Sequence, residues 1–156
     1  MYSVIYGFPS TSSGSNLDVY FTKKYKDSEL IKGALLLQAA SHLDIFKKGK
    51  LSFAVDYDKE NTMDGIVIEL YDKGKLLSTT VPGFSILVRS SLKNDIQNNS
   101  SFEITKVEQL QDDRYLVEGK FEANLFDESE KLYRIKNGFL RFTTNVKPTK
   151  DGIIAF

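Results

Sequence analysis

Apolar and polar residues alternate along much of this chain, and this period of two limits the fold more than any other feature of the sequence. Leu17, Val19 and Phe21 alternate with more polar neighbours, and the same rhythm returns over 51–58 and over 115–125. Successive side chains of a β-strand point to opposite faces, so this pattern is typical of strands with one buried face. The sequence therefore predicts an all-β, antiparallel fold.

Turn signals divide the rest of the chain into further strands. We predict strands at 66–71, 76–81, 84–89, 102–109, 114–126 and 132–145, with a bulge or turn at Asn137-Gly138. Gly74 suits a hairpin bend at 72–75, while the polar run 90–101 favours a loop. About nine short strands at regular spacing indicate an antiparallel β-sandwich, with a closed, lipocalin-like β-barrel as the alternative.

The segment 28–48 fits the strand pattern least well. Leu30, Ala34 and Leu37 have helical spacing, but Gly33 weakens a helix. We expect a strand over 34–41 and at most one short helix near 28–40.

The length of the chain sets the domain organisation. With 156 residues, of which 41% are hydrophobic, the chain can bury the core of one domain. Residues 10–16 are small and polar with nothing to bury, so we expect a flexible leader over 1–16. The β-sandwich domain is then predicted over 17–147 and a C-terminal tail over 148–156.

Charge and cysteine content exclude several classes of function. The 21 basic and 21 acidic side chains balance to a formal charge of zero, which argues against a nucleic-acid or anionic-membrane surface. Without cysteine, thiol catalysis, thiolate metal sites and disulfides are excluded. The apolar stretch at 34–40 is too short to span a membrane. The N-terminus lacks the basic start and apolar segment of a secretory signal, so either the chain is cytosolic or a signal has been removed.

Catalytic patterns in the sequence are weak. His42 is the sole histidine, so an acid–base scheme must use it or do without imidazole. The string 83–87 lacks the closing glycine of a nucleophile elbow. Two acidic turns, 112–113 and 127–130, could serve a glycosidase only if the fold holds two carboxyls about 5–10 Å apart. We therefore expect no enzymatic activity.

One loop concentrates the hard oxygen ligands that calcium prefers, namely Asp56, Asp58, Glu60, Asn61 and Asp64. It is not an EF-hand, since asparagine stands where that loop needs its glycine and valine where it needs its final glutamate. An irregular calcium site is the speculative interpretation. The alternative, which we favour, is a solvated acidic loop joining two strands, so we expect no cofactor unless calcium binds here.

Two strings near the C-terminus have a familiar form. Residues 115–126, Tyr-Leu-Val-Glu-Gly-Lys-Phe-Glu-Ala-Asn-Leu-Phe, precede residues 135–142, Ile-Lys-Asn-Gly-Phe-Leu-Arg-Phe. Together they resemble the C-terminal half of small uncharacterised β-sandwich lipoproteins of Bacteroidetes. The resemblance implies an exported domain, anchored through a lipidated cysteine upstream of residue 1, with the serine-rich leader as a tether. That family has no established active site, so the resemblance transfers no functional residue.

These observations favour a non-enzymatic, extracytoplasmic binding or interaction module at the cell envelope or surface. Its specificity would reside on the loops 59–65 and 90–101, and its partner would be a protein or a glycan. One alternative is a small apolar-ligand carrier with a pocket inside a β-barrel. The least expected alternative is a hydrolase that uses acidic-loop carboxylates.

Overall fold

The protein is all-β, as the alternating pattern predicts. A computed structural model describes residues 2–12, 15–26, 28, 30–32, 37–39, 43–55, 64–80, 92–111 and 114–145. A short 3-10 helix occupies Leu43–Phe46. The strands described are β1 (Tyr2–Ser12), β2 (Ser15–Tyr25), β3 (Leu30–Lys32), β4 (Leu37–Ala39), β5 (Gly49–Leu51), β6 (Gly65–Asp72), β7 (Lys75–Ser78), β8 (Ser101–Gln109), β9 (Tyr115–Phe126) and β10 (Leu132–Thr144).

Eight of these strands form one antiparallel sheet. Seven follow the order β1-β2-β6-β7-β9-β8-β5, and β10 pairs with β9 off this path. β3 and β4 form a separate antiparallel pair. Phe53 makes an isolated parallel bridge to Ile66, but one bridge is not a strand pair, and the described sheet is not closed. The prediction of an antiparallel all-β fold is confirmed, and the closed-barrel alternative is wrong.

Strand β9 is the centre of this sheet. β8 and β10 flank it along most of its length, and β7 reaches its last residue through the pair Ser78–Phe126. Its apolar residues at 117, 121, 123 and 125 are buried on the core face, with Gly119 between them. This strand therefore links the half of the sheet that contains β1, β2, β6 and β7 to the half that contains β5, β8 and β10.

Phenylalanine rings fill the space between the two halves. Phe21 of β2 lies 5.1 Å from Phe46, 5.6 Å from Phe102 of β8 and 5.7 Å from Phe142 of β10, centroid to centroid. Phe102 also stacks on Phe121 of β9 at 5.8 Å. Each ring that is fully buried contributes roughly 1.5–3 kcal/mol. The two halves of the sheet thus face each other across an aromatic core, as the sandwich prediction requires.

The N-terminal residues belong to the sheet, so the prediction of a flexible leader is wrong for them. β1 pairs with β2 from Tyr2–Tyr25 to Ser12–Ser15, residue by residue. Backbone hydrogen bonds hold such an edge strand, and they need no alternation of apolar side chains. Pro9 fits this position because proline, which has no N–H, is confined to edge strands and irregular positions of a sheet.

The other local predictions have mixed outcomes. The strands predicted at 17–22, 66–71, 102–109 and 114–126 are present, and Lys73 and Gly74, both with positive φ, form the tight turn between β6 and β7. The irregularity at Asn137-Gly138 is confirmed, since the register with β9 shifts between Ile135 and Gly138.

Several predicted strands are shorter than expected or lie outside the description. β5, which pairs with β8, ends at Leu51. The residues that follow pair with β6 instead, since the Ile66 N–H donates to the Ser52 carbonyl oxygen at 2.9 Å. Within the expected strand 34–41 the structure shows β4 at Leu37–Ala39, and the 3-10 helix at Leu43–Phe46 lies beyond the interval 28–40. The predicted strand 84–89 lies outside the described residues.

Candidate functional site

The predicted calcium loop lies mostly outside the described residues. Asp56, Asp58, Glu60 and Asn61 fall there, whereas Asp64 is exposed immediately before β6. Within the described ranges, no group of three or more His, Asp or Glu side chains is placed to hold a metal ion. Calcium binding at this loop stays a prediction.

Asp64 lines a cleft of about 300 Å³ beside the starts of β5 and β6. The apolar residues that line this cleft are Phe21, Ile45, Leu51 and Ile66. The polar residues that line it are Thr22, Lys23, Lys50, Ser52 and Asp64. Ligand sites commonly combine an apolar lining with a few convergent polar groups. Their volumes range from about 300 to 1,000 Å³, and the volume of this cleft is at the lower end of that range.

Gly65 shapes one wall of the cleft. Its φ is +134°, and a Cβ added there would lie only 2.5 Å from the Ser52 carbonyl oxygen and 2.8 Å from the Ala54 nitrogen. The Thr22 hydroxyl donates a hydrogen bond to the Gly65 carbonyl oxygen at 2.8 Å. The segment 52–54 can therefore approach β6 closely.

The charged side chains that line the cleft determine which kind of ligand it can bind. Lys50 and Asp64 are exposed and Lys23 is half-buried. Among the described residues that line the cleft, two are lysines and one is a carboxylate. Beside the apolar lining, a charge is screened less than in bulk water. This arrangement suits an anionic group that is attached to an apolar body.

The second predicted specificity loop, 90–101, is fixed to the sheet in its described part. Gln97 is only 7% exposed. Its Nε2 donates to the carbonyl oxygens of Thr79 at 3.0 Å and of Asn124 at 2.7 Å, and its Oε1 accepts from the Asn124 N–H at 3.1 Å. These three hydrogen bonds connect the loop to β9 and to the residue after β7, so the loop is held against the sheet and stabilises the contact between these two strands.

Arg134 of β10 completes this network. Its guanidinium donates to the Asn124 Oδ1 at 2.8 Å, to the Ser100 hydroxyl at 3.1 Å and to the Asn99 carbonyl oxygen at 2.7 Å. It also forms an ion pair with Glu122 at 2.8 Å. The sequence does carry one signal that we missed: Asn124 interrupts an apolar run, and Arg134 stands in register with it on the next strand.

Asp127 has a structural role in the acidic turn 127–130. Its Oδ1 accepts from the Ser129 hydroxyl at 2.6 Å and the Lys131 N–H at 3.1 Å, and its Oδ2 accepts from the Tyr133 hydroxyl at 3.0 Å. The hydrogen bond from Ser129, reinforced by those from Lys131 and Tyr133, lowers the pKa of Asp127 to about 2. A carboxyl that is ionised at neutral pH cannot serve as a general acid.

The other residues considered for catalysis receive no support. Asp112, Asp113 and His42 lie outside the described residues, as does the string 83–87. Glu128 is exposed in its turn. The hydrolase alternative therefore has no assembled pair of carboxyls among the acidic-turn residues that the structure describes.

A carboxylate pair that the sequence does not predict lies on β2 and β6. Asp18 and Glu69 are directly opposite each other in the ladder. Glu69 Oε1 is buried, and no residue in the described part of the chain donates a hydrogen bond to it. Burial, and after it the charge of Asp18, raises the pKa of Glu69 above its ordinary value. The Tyr20 hydroxyl donates a long hydrogen bond of 3.4 Å to Asp18.

No family model matches the chain, and no curated protein and no solved structure matches it either. None of the described helical residues forms a helix long and apolar enough to cross a membrane. The class that the described residues define is an all-β protein with an antiparallel sheet that is not closed into a barrel, an aromatic core and a cleft lined by charged and apolar side chains.

Proposed function

We propose that this protein is a non-enzymatic, extracytoplasmic binding module, and that the cleft holds an anionic group of its protein or glycan ligand. The observation that carries the proposal is that Lys23 and Lys50 line the same cleft as the apolar side chains of Phe21 and Ile66. Asp64 and Gly65, the described residues of the loop 59–65 to which the sequence assigns specificity, line the cleft. The location outside the cytoplasm and the lipid anchor rest on the resemblance to the envelope lipoproteins.

The alternative functions are less well supported by the described residues. A carrier with its pocket inside a barrel needs an empty interior, whereas here Phe21, Phe46 and Phe102 occupy the space between the two halves of the sheet. A hydrolase needs two carboxyls with different protonation states across a cleft, but of the described residues that line the cleft only Asp64 is a carboxylate. A binding module requires neither feature.

The proposal predicts that the cleft binds 8-anilinonaphthalene-1-sulfonate, an anion with an aromatic body, at one site. Reversal of one cleft charge by Lys50→Glu should weaken binding about tenfold, because a charge-assisted contact contributes roughly 1.5–3 kcal/mol. Asp64→Asn removes the opposing charge and should strengthen binding. Fluorescence titration of the folded protein measures both affinities.

The matched control is Lys75→Glu, which makes the same charge change at the exposed first residue of β7. Its affinity should equal that of the unmodified protein. If Lys50→Glu and Lys75→Glu bind the probe equally well, the cleft is not the anion site and the proposal fails.

A further inference from the structure

One phenylalanine of β10 points away from the aromatic core. Phe139 pairs with Lys120 of β9, which in turn pairs with Glu103 of β8. Side chains of paired residues lie on the same face of a sheet, and successive residues of a strand alternate between faces. Phe121 and Phe102, the neighbours of Lys120 and Glu103 in their strands, are buried in the core. Phe139, Lys120 and Glu103 therefore form a row across the opposite face, which we call the outer row.

The side chains of the outer row are exposed. Phe139 is 63% exposed, and the side chains of Lys120 and Glu103 are 65% and 36% exposed. Two residues along β10, on the same face, the side chain of Arg141 is 62% exposed, and it pairs with Glu118 of β9. A ligand can therefore reach the aromatic ring and the neighbouring charged groups from the same side.

The charged side chains beside Phe139 are already paired with each other. Lys120 Nζ lies 3.0 Å from Glu103 Oε2, and Arg141 Nε lies 3.5 Å from Glu118 Oε1. Because these two cations and two carboxylates balance, a charged ligand would gain little here and would compete with one of the pairs. A neutral hydroxyl group can add to either member of a pair, since it both donates and accepts hydrogen bonds. The balanced charges thus favour a neutral ligand that is rich in hydroxyl groups.

The spacing of the three strands suits a chain of sugar rings. Adjacent strands of a sheet lie about 4.7–4.9 Å apart, which is close to the length of one pyranose unit. The face of an aromatic ring is apolar and can stack on the C–H face of a pyranose. If one sugar stacks on Phe139, the next two units of the chain reach Lys120 and Glu103.

We propose that the outer row binds a neutral oligosaccharide that runs across β10, β9 and β8. One pyranose stacks on the ring of Phe139. Hydroxyl groups of the following units accept hydrogen bonds from the Lys120 ammonium group and donate them to the Glu103 carboxylate. The outer row shares no residue with the cleft, so the inference does not depend on the proposed function.

The test titrates three neutral trisaccharides, cellotriose, xylotriose and mannotriose, into the isotope-labelled protein. At least one of them should shift the amide resonances of Glu103, Lys120 and Phe139, with a Kd between about 0.1 and 10 mM. The affinity should be the same at low and high salt, because the ligand has no charge to be screened. Trigalacturonate, an anionic trisaccharide, should bind the outer row no more tightly. Shifts that it causes at Lys50 would report on the cleft, so the two proposals are tested separately.

Matched variants identify the contribution of the ring. Phe139→Ala should weaken the trisaccharide about three- to tenfold, because the stacked contact is lost. Phe139→Trp should keep or increase the affinity, since it retains a ring, and it tests the site even if the alanine variant disturbs the sheet. The control is Leu132→Ala, which removes another exposed apolar side chain of β10, and it should have no effect.

Several results would overturn the inference. They are the absence of any shift with all three neutral trisaccharides at about 20 mM, shifts that map away from the outer row, and equal binding by Phe139→Ala and Leu132→Ala. Resonances of the outer row that move with the concentration of the free protein would also overturn it. They would assign this face to a second copy of the chain.

Discussion

Asp18 and Glu69 show how a single residue pair can lower the stability of this fold. Their side chains face each other across the ladder between β2 and β6, where opposed like charges are unfavourable. Burial, and after it the charge of Asp18, raises the pKa of Glu69 from its ordinary value of 4.5. The ionised form of Glu69 is therefore better accommodated in the unfolded chain than in the folded protein.

We predict that Glu69→Gln raises the melting temperature at neutral pH, by a few degrees at most. A carboxyl whose pKa is raised on folding stabilises the protein fully below its unfolded pKa. That contribution is lost as the pH rises through the folded pKa. The gain from Glu69→Gln should thus be largest at about pH 7–8 and absent below about pH 4. Thermal unfolding followed by circular dichroism from acid to neutral pH measures it.

The matched control is Glu128→Gln, which changes the same side chain in an exposed turn. It should not reproduce the pH-dependent gain. The explanation from burial and repulsion is wrong if both variants have the same melting profile, or if the gain at Glu69 persists at low pH.

At the scale of the element, β10 depends on one irregular position. Asn137 has a φ of 56°, in the left-handed region that asparagine tolerates better than most residues. The register shift there brings Gly138 opposite Phe121. A Cβ added at Gly138 would lie 2.5 Å from the Cε2 and Cζ atoms of that ring. The absence of a side chain at 138 therefore leaves room for the phenylalanine in the core.

We predict that Gly138→Ala lowers the free energy of unfolding by about 1–3 kcal/mol, the usual cost of overpacking a core. Chemical denaturation should show a lower midpoint with an unchanged slope. Lys136→Ala, two residues earlier and exposed, is the control and should stay within about 0.5 kcal/mol of the unmodified protein. Equal stability of the two variants would contradict the close packing described here.

The elements that sequence predicts best are those with local signals. The strands of the hairpin 102–126 follow from their alternation, and the bulge follows from the Asn137-Gly138 pair. β1 is missed because the serine, threonine and glycine residues at its C-terminal end are typical of a flexible leader, whereas its register with β2 depends on a partner strand. The burial of Gln97 is missed for another reason, since its partners at Thr79 and Asn124 are distant in the chain.

The cleft could be predicted only in part. Asp64 is the one predicted site residue that the structure places there. Lys23 and Lys50 come from other segments of the chain, and the sheet order that brings them together cannot be derived from a period of two. Asp56, Asp58, Glu60 and Asn61 stay predictions, because they lie outside the described residues.

At the scale of the whole molecule, β1 covers an edge that would otherwise be open. It pairs with the full length of β2, and β2 carries the core residues Val19 and Phe21. We predict that deletion of residues 1–12 lowers the melting temperature and causes concentration-dependent association, because β2 then becomes an exposed edge. Thermal unfolding and size-exclusion chromatography at several concentrations measure the two effects.

Deletion of residues 148–156, the predicted tail, is a control of similar length and should leave the melting temperature unchanged. If the deletion of 1–12 also leaves both the melting temperature and the elution volume unchanged, β1 does not contribute to the sheet. The N-terminal residues would then behave as the flexible leader that their composition suggests.

The three partners of β9 also bear on how the chain folds. β8, β9 and β10 are consecutive in sequence, so their contacts need only short loops to close and can form early. The pair Ser78–Phe126, which connects β7 to β9, brings together residues about fifty positions apart in the chain. Closing this longer loop costs more conformational entropy. We expect the rate-limiting step to be the docking of the N-terminal half onto a preformed C-terminal meander, which makes this protein a slow folder for its size.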